Sequence, residues 1–299
     1  MANVLSKGSL FPAELVSEMF NTVRGKSSLA RLSGSMPVPF NGNDVFTFSF
    51  DNEVDLVGEN GAKSNGGGAI APVQIRPVKV EYGMRVSDEF MYASEETRLN
   101  ILATFAEGFA RKAARGLDIM AFHGINPRTG SAATQIATKN FDALVSQTVT
   151  VTANPNVDVT GAISAVEAAE HEVTGMAMAP AFRTALASLT KGTNSNEPMF
   201  PELAWGSNPG VINGLPVDVN STVSFGTGVK DRAIVGNFAD FFKWGYAKEI
   251  PVEVIEYGNP DNDATAGDLK GHNQVYLRGE AYVGWGILVP SAFARIVTA

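Results

Sequence analysis

Near the C-terminus the odd positions from 275 to 289 are Val275, Leu277, Gly279, Ala281, Val283, Trp285, Ile287 and Val289, whereas Tyr276, Arg278, Glu280 and Tyr282 fall on even ones. A period of two predicts a strand with one apolar face, and Pro290 ends it. Ahead of it, Ala233-Ile234-Val235 predicts a short buried strand, Gly236-Asn237 a tight turn, and Phe238, Phe241, Phe242 and Trp244 an aromatic cluster. Earlier in the chain Leu99, Leu102, Phe105, Phe109, Ala113, Leu117 and Met120 step by three or four, which predicts a helix over 94–122 closed by Gly124 and Pro127. At about 1.5 Å per residue it is roughly 40 Å long.

Two further alternating runs precede that helix. Phe46, Phe48, Phe50, Val54 and Leu56 alternate with polar residues, and so do Val78, Val80, Tyr82, Met84 and Val86. Both predict half-apolar strands, paired as the arms of one long hairpin around a tip at 58–68 that is too glycine-rich to pack. A protruding hairpin with an apolar face is an aggregation liability in a monomer, so it is expected to rest on another copy. Residues 1–35 read as an arm, with Pro12 opening a helix over 13–23 in which Leu15, Met19 and Val23 recur at fourfold spacing. So short a helix needs something to lie against. The region 135–229 mixes strands at 149–151, 176–178 and 215–219 with helices at 160–172 and 180–189, and a polar loop spans 193–213.

Hydrophobic residues make up 44% and charged ones 18% of the chain, which excludes wholesale disorder. The absence of cysteine removes disulfides, thiolate metal sites and cysteine nucleophiles together. A net charge of -8 argues against a general nucleic-acid-binding surface, which needs clustered lysine and arginine. The start of the chain lacks the apolar core of a signal peptide, and the uncharged stretch 281–294 is too short for a membrane span. Gly61-Ala62-Lys63-Ser64 has neither the glycine before the lysine nor the one five residues earlier that a phosphate-binding loop needs. Glu167 and His171, at i and i+4 of an expected helix, have the spacing to touch one metal, but a solvated charged face is the plainer reading. No nucleophile elbow or dinucleotide fingerprint is present, and no cofactor or metal is expected.

The order Ile234-Val235-Gly236-Asn237-Phe238, a strand around Pro251-Val252-Glu253-Val254, Asn273-Gln274-Val275-Tyr276-Leu277-Arg278, Glu280, and Pro290-Ser291-Ala292-Phe293 resembles the C-terminal half of tailed-bacteriophage major capsid proteins of the Hong Kong 97 type. Glu59, Lys63 and Ser87-Asp88-Glu89 are similar to the pattern of that family's extended loop. The resemblance implies an α+β capsid fold. Its parts are an N-terminal arm (1–35), an extended β-hairpin loop (36–86, tip about 58–68), a peripheral domain with a spine helix (87–134 and 270–299, helix 94–122) and an axial domain (135–269). It also implies a major capsid protein that assembles as pentamers and hexamers into an icosahedral shell in the virion, put together in the host cytoplasm. That shell encloses double-stranded DNA without reading its sequence. Leu15, Met19, Phe46, Phe48, Phe50, Glu59 and Lys63 are then interface candidates.

Because the chain starts with the arm at Met1, a separate scaffolding protein is expected, alongside a portal and a decoration protein as further partners. Alignment with the cross-linking member of the family places Lys63, Asn273 and Glu280 on its isopeptide trio, in which a lysine amine attacks an asparagine amide of a neighbour, ammonia leaves and a glutamate takes the proton. Seven residues of straight strand span about 23 Å, so such a site would draw on several subunits. The plainer reading keeps Lys63 as a solvated tip residue and the other two as structural polar groups. Two alternatives remain: an encapsulin-type nanocompartment shell, and a soluble enzyme with an unrecognised site.

Overall fold

The computed structural model describes residues 26–50, 53–192, 195–248 and 252–299, so the arm helix expected over 13–23, with Leu15 and Met19, lies outside the described residues. In chain order, a short helix α1 (Ser28–Leu32) leads to the strands β1 (Asn43–Phe50), β2 (Gly68–Ile75) and β3 (Val78–Ser87). A single turn α2 (Glu89–Tyr92) and the long helix α3 (Glu95–His123) follow, then α4 (Phe141–Leu144), β4 (Thr148–Thr150), α5 (Pro155–Ala168), β5 (Gly175–Met178) and α6 (Pro180–Ala187). The last third holds β6 (Val211–Ile212), β7 (Leu215–Val219), β8 (Asp231–Gly236), α7 (Phe238–Phe241), β9 (Phe242–Lys248), β10 (Val252–Ile255), β11 (Gln274–Ile287) and β12 (Phe293–Val297).

Helix α3 begins where Ser94 accepts a hydrogen bond from the Thr97 amide, and it stops at Gly124, whose φ of +64° is left-handed. A Cβ on Gly124 would stand 2.3 Å from Asn140 Nδ2, so no larger residue fits there. Leu102, Phe105, Phe109 and Leu117 are buried as their spacing requires, while Leu99 and Ile101 at the N-terminal end stay exposed.

The alternating run at 78–86 is a strand, but it does not close the hairpin. β1 pairs antiparallel with β2, residue for residue from Asn43 with Ile75 to Phe50 with Gly68. β3 instead pairs with β11 from Val78 opposite Val283 to Ser87 opposite Gln274. The first strand also stops at Phe50, leaving Val54 and Leu56 outside it and almost fully exposed. Alternation on β3 records the face it turns to α3, and it is silent about which neighbour takes its backbone hydrogen bonds. Ile75, the last residue of β2, is fully buried against Gly284 and Gly286 of β11, and Arg76 Nη1 donates to the Asn41 carbonyl at 3.0 Å. The hairpin is thus tied down at its base.

Besides the hairpin, the described residues form two sheets. One runs β10-β11-β3, with β9 also on β11, and the other runs β4-β12-β8-β5-β7-β6. The second is buried on both faces. Ala177 and Ile234 turn to a core shared with α3, α4, β9 and β11, while Met176, Met178, Ala233 and Val235 turn to a core beneath α5 and α6. α5 starts at Pro155 behind the Asn154 cap, five residues before the expected 160, and ends at Ala168 rather than 172.

Candidate assembly surfaces

The hairpin carries an apolar face that none of the described residues covers. Phe48 stands opposite Ile70 and Phe46 opposite Pro72. Phe46, Phe48 and Ile70 are each 60% exposed or more, against the few per cent typical of the core. Glu59 and Lys63 sit exposed in the tip, and Phe50 ends β1 opposite Gly68. A second incomplete surface is concave. Between β3 and the first half of α3 runs a groove of about 540 Å³ lined by Tyr82, Met84, Val86, Ile101, Phe105 and Leu277, among others. Tyr82 and Met84 are nearly half exposed along it.

The root of the arm is built differently, by buried polar bonds. Asp118 of α3 accepts from Ser27 Oγ (2.5 Å), Ser28 N (2.9 Å), Leu29 N (3.2 Å) and Thr222 Oγ1 (2.9 Å). Burial pushes its carboxyl up to about 6 against the pull of those donors. Asp218 of β7 accepts from Ser28 Oγ (2.5 Å), Arg31 Nη1 (2.7 Å) and Asn208 Nδ2 (2.9 Å). These two carboxylates fasten α1 to the junction of α3 and the six-stranded sheet.

Lys63, Asn273 and Glu280 are not brought together within one chain's strands. Asn273 takes a left-handed conformation just before β11, and its carbonyl accepts from the Asp88 amide at 2.9 Å. Glu280 lies seven residues on, inside β11, with Lys79 Nζ 2.7 Å from its Oε1. The pair Glu167 and His171 does not share a helix, because α5 ends at Ala168 and Glu170 turns left-handed. His171 instead lies with Nε2 3.1 Å from Ser291 Oγ and its ring edge-on to Phe241.

Three features escape a reading of the sequence. Trp205 sits in the loop expected at 193–213, fully exposed and with φ at +55°, an uncommon state for a bulky residue. Arg85 of β3 donates to Asp261 (2.6 and 2.9 Å), Asn259, Gln274 and the carbonyls of Ala266 and Gly267, and so holds the loop at 259–268 against the sheet. The Arg85 guanidinium keeps the Asp261 carboxyl down at about 2. Last, His123, Asp142 and Asp231, which lie 19 to 108 positions apart along the chain, converge in one largely buried cluster. Only the fold brings these together.

A two-sheet α+β body with a projecting apolar hairpin and an open apolar groove defines a class: a structural subunit that completes its packing by self-assembly. The chain belongs to the phage capsid family, whose model matches residues 7–298, and it is a major capsid shell protein, a part of the virion. Among solved structures it is similar to one from Mycobacterium phage Ogopogo, at 30% identity over 92% of both chains with a TM-score of 0.78. A structure from Gordonia phage Cozz matches at 25% identity over 92% of this chain and 87% of that one, TM-score 0.73. The fold is also that of a capsid of an empty GTA particle, at 13% identity over 92% and 90% of the two chains, TM-score 0.63. No curated protein matches at a significant level. These matches favour neither the nanocompartment nor the enzyme alternative. Among the described residues no helix is long and apolar enough to cross a membrane.

Proposed function

We propose that copies of this chain close into pentamers and hexamers of an icosahedral head shell around double-stranded DNA, with the hairpin of each copy seated in the groove of the next. The observation that carries this reading is the pairing of two apolar surfaces that the described residues of one subunit leave open, a convex one at Phe46, Phe48 and Ile70 and a concave one at Tyr82, Met84 and Ile101. A head-to-tail contact of this kind uses both surfaces once per subunit, and it closes into a ring when the rotation between copies permits. Leu15 and Met19 of the arm, and Glu59 and Lys63 of the tip, add contacts to further neighbours. The arm, extended loop, peripheral and axial divisions expected from the sequence serve as the working parts of this assembly. Scaffolding, portal and decoration proteins are separate chains in this reading. Assembly takes place in the host cytoplasm, and the acidic shell contains its DNA without binding particular sequences.

Negative-stain microscopy of the purified chain tests the proposal. Wild type gives closed shells. Phe48→Glu or Met84→Glu gives folded subunits without shells, because a charge buried in an apolar contact is several kcal/mol unfavourable, on the order of 3–5. Combining Phe48→Glu with Met84→Lys restores assembly. Normal shells from Phe48→Glu alone would refute the seating of the hairpin.

A further inference from the structure

Where the end of α3 reaches the six-stranded sheet, four side chains from four elements meet: His123 of α3, Asp142 of α4, Asp231 of β8 and Arg295 of β12. The His123 and Asp231 side chains are fully buried, whereas Asp142 is partly open. His123 Nε2 lies 3.0 Å from the carbonyl oxygen of Thr222, and since a carbonyl only accepts, Nε2 must carry a hydrogen. The other ring nitrogen, Nδ1, is 3.0 Å from Asp142 Oδ2 and 3.6 Å from Asp231 Oδ2. A bare lone pair facing two carboxylates is repulsive. A proton therefore stands among these three groups, either on Nδ1 or on a carboxyl.

Charge counting leads to the same proton. Arg295 donates from Nε to Asp231 Oδ1 (2.9 Å), and from Nη2 to Asp231 Oδ2 (3.1 Å) and Asp142 Oδ1 (2.6 Å). Its guanidinium neutralises one of the two carboxylates. One shared proton neutralises the other, and without it a net negative charge is left beside the fully buried side chains of His123 and Asp231. Among the described residues the other charged groups nearby do not supply that compensation. Asp118 connects only through Thr222, whose hydroxyl it binds. Arg232 Nη1 donates to the Asp231 backbone carbonyl at 3.2 Å. Lys230 is exposed on the rim of the cleft, lined also by Ile125, Thr148 and Val297, that opens Asp142 to solvent.

We propose that His123, Asp142, Asp231 and Arg295 form a one-proton clasp that fastens the end of the long helix to the six-stranded sheet and loosens when the proton leaves. Burial and then the neighbouring Asp142 push the Asp231 carboxyl up to about 7. Burial works on Asp142 in the same sense, but its bonds with His123 and Asp231 outweigh it and hold that carboxyl below the usual range. The folded chain thus keeps a proton that the unfolded chain releases above about 4, the ordinary carboxylate value. The stability so gained is full below that pH and is lost as pH rises through about 7.

Urea unfolding of the full chain between pH 4 and 8.5, for wild type and Asp231→Asn, provides the test. The amide carries the proton's donor without its titration: it accepts from Arg295 Nε and donates toward His123 Nδ1, while the 3.1 Å bond from Arg295 Nη2 is given up, a loss that offsets the profile without changing its slope. The ratio of the wild-type unfolding constant to that of the variant is expected to rise about tenfold per pH unit up to neutrality and then level off, the slope of one proton. The slope from Asp118 is common to both and cancels. Parallel pH profiles overturn the clasp. Nitrogen-15 NMR of the wild-type histidine rings decides independently of the variant's folding. A hydrogen on His123 Nε2 at every pH, with an Nδ1 shift that moves near pH 7, is expected. A bare Nε2, or a ring unmoved between pH 5 and 9, overturns it.

Discussion

Replacing Asp118 with alanine should detach the root of the arm. The carboxylate is the acceptor for Ser27 Oγ, Ser28 N, Leu29 N and Thr222 Oγ1, all on residues that are buried. Each donor left without a partner is unfavourable by about 1–2 kcal/mol, together on the order of 4–8. Against that, the wild type keeps a buried carboxylate ionised at pH 7.5. The displacement of its pKa from 3.8 to about 6 makes that worth about 3 kcal/mol, which the variant recovers. The net loss is then about 1–5 kcal/mol. Urea unfolding of the dissociated subunit at pH 7.5, followed by the fluorescence of the buried Trp244 and Trp285, reads it directly. Asp118→Asn, which retains one acceptor oxygen, should fall between wild type and Asp118→Ala. Trypsin supplies a local readout, because Arg31 is held by Asp218 only while α1 is docked. Cleavage at Arg31 should quicken in the alanine variant under native conditions. A loss below about 1 kcal/mol, with Arg31 cut no faster, would mean that the apolar contacts of Leu29 hold the root and the buried polar bonds do not.

On denaturing gels, boiled shells should give a single band near 31.6 kDa, since Glu280 is already engaged by Lys79; a ladder abolished by Lys63→Ala would restore the isopeptide trio. Gly286→Val should destabilise the subunit by about 1–3 kcal/mol in urea unfolding, because a Cβ there meets Ile75 Cγ1 at 2.8 Å; wild-type stability would show that the hairpin base is loosely packed. Arg85→Ala should release the loop at 259–268, seen as faster amide exchange there with the melting of α3 unchanged. Unchanged exchange in the loop would show that its own Asp263 turn bonds suffice.

Much of the fold is legible in local pattern. α3 is, because a seven-turn apolar stripe between a serine cap and a glycine stop leaves no competing structure, and β11 is, because fourteen residues of alternation cannot be helical. β5, β7 and β8 follow from short apolar runs bounded by turns. The partner of β1 is not legible in this way. β2 reads Gly-Ala-Ile-Ala-Pro-Val-Gln-Ile, interrupted by Pro72 and carrying no clear alternation, whereas β3 alternates perfectly and belongs elsewhere. Side-chain pattern encodes which face is buried, and pairing is settled by topology. At the assembly surfaces Phe46 and Phe48 could be picked out because apolar residues beside a glycine-rich tip have no core to enter. The groove that we pair with them could not, since Tyr82, Met84 and Ile101 look like ordinary core residues until the helix leaves them uncovered. The clasp at His123 and the bonds of Asp118 depend on residues mostly 60 to 150 positions apart and leave no trace in any window of sequence.

The clamped foot of the hairpin has a mechanical meaning. A ribbon joined to its body by a slack linker would swivel, and whatever gripped its far end would pull on nothing. Here Ile75 is wedged between two glycines of the longest strand, and Arg76 staples the two legs together, so the ribbon behaves as a cantilever. A tug at its outer end becomes torque on β11, the central strand shared by β3, β9 and β10. Strain arising between neighbours is carried straight into the stiffest part of each subunit.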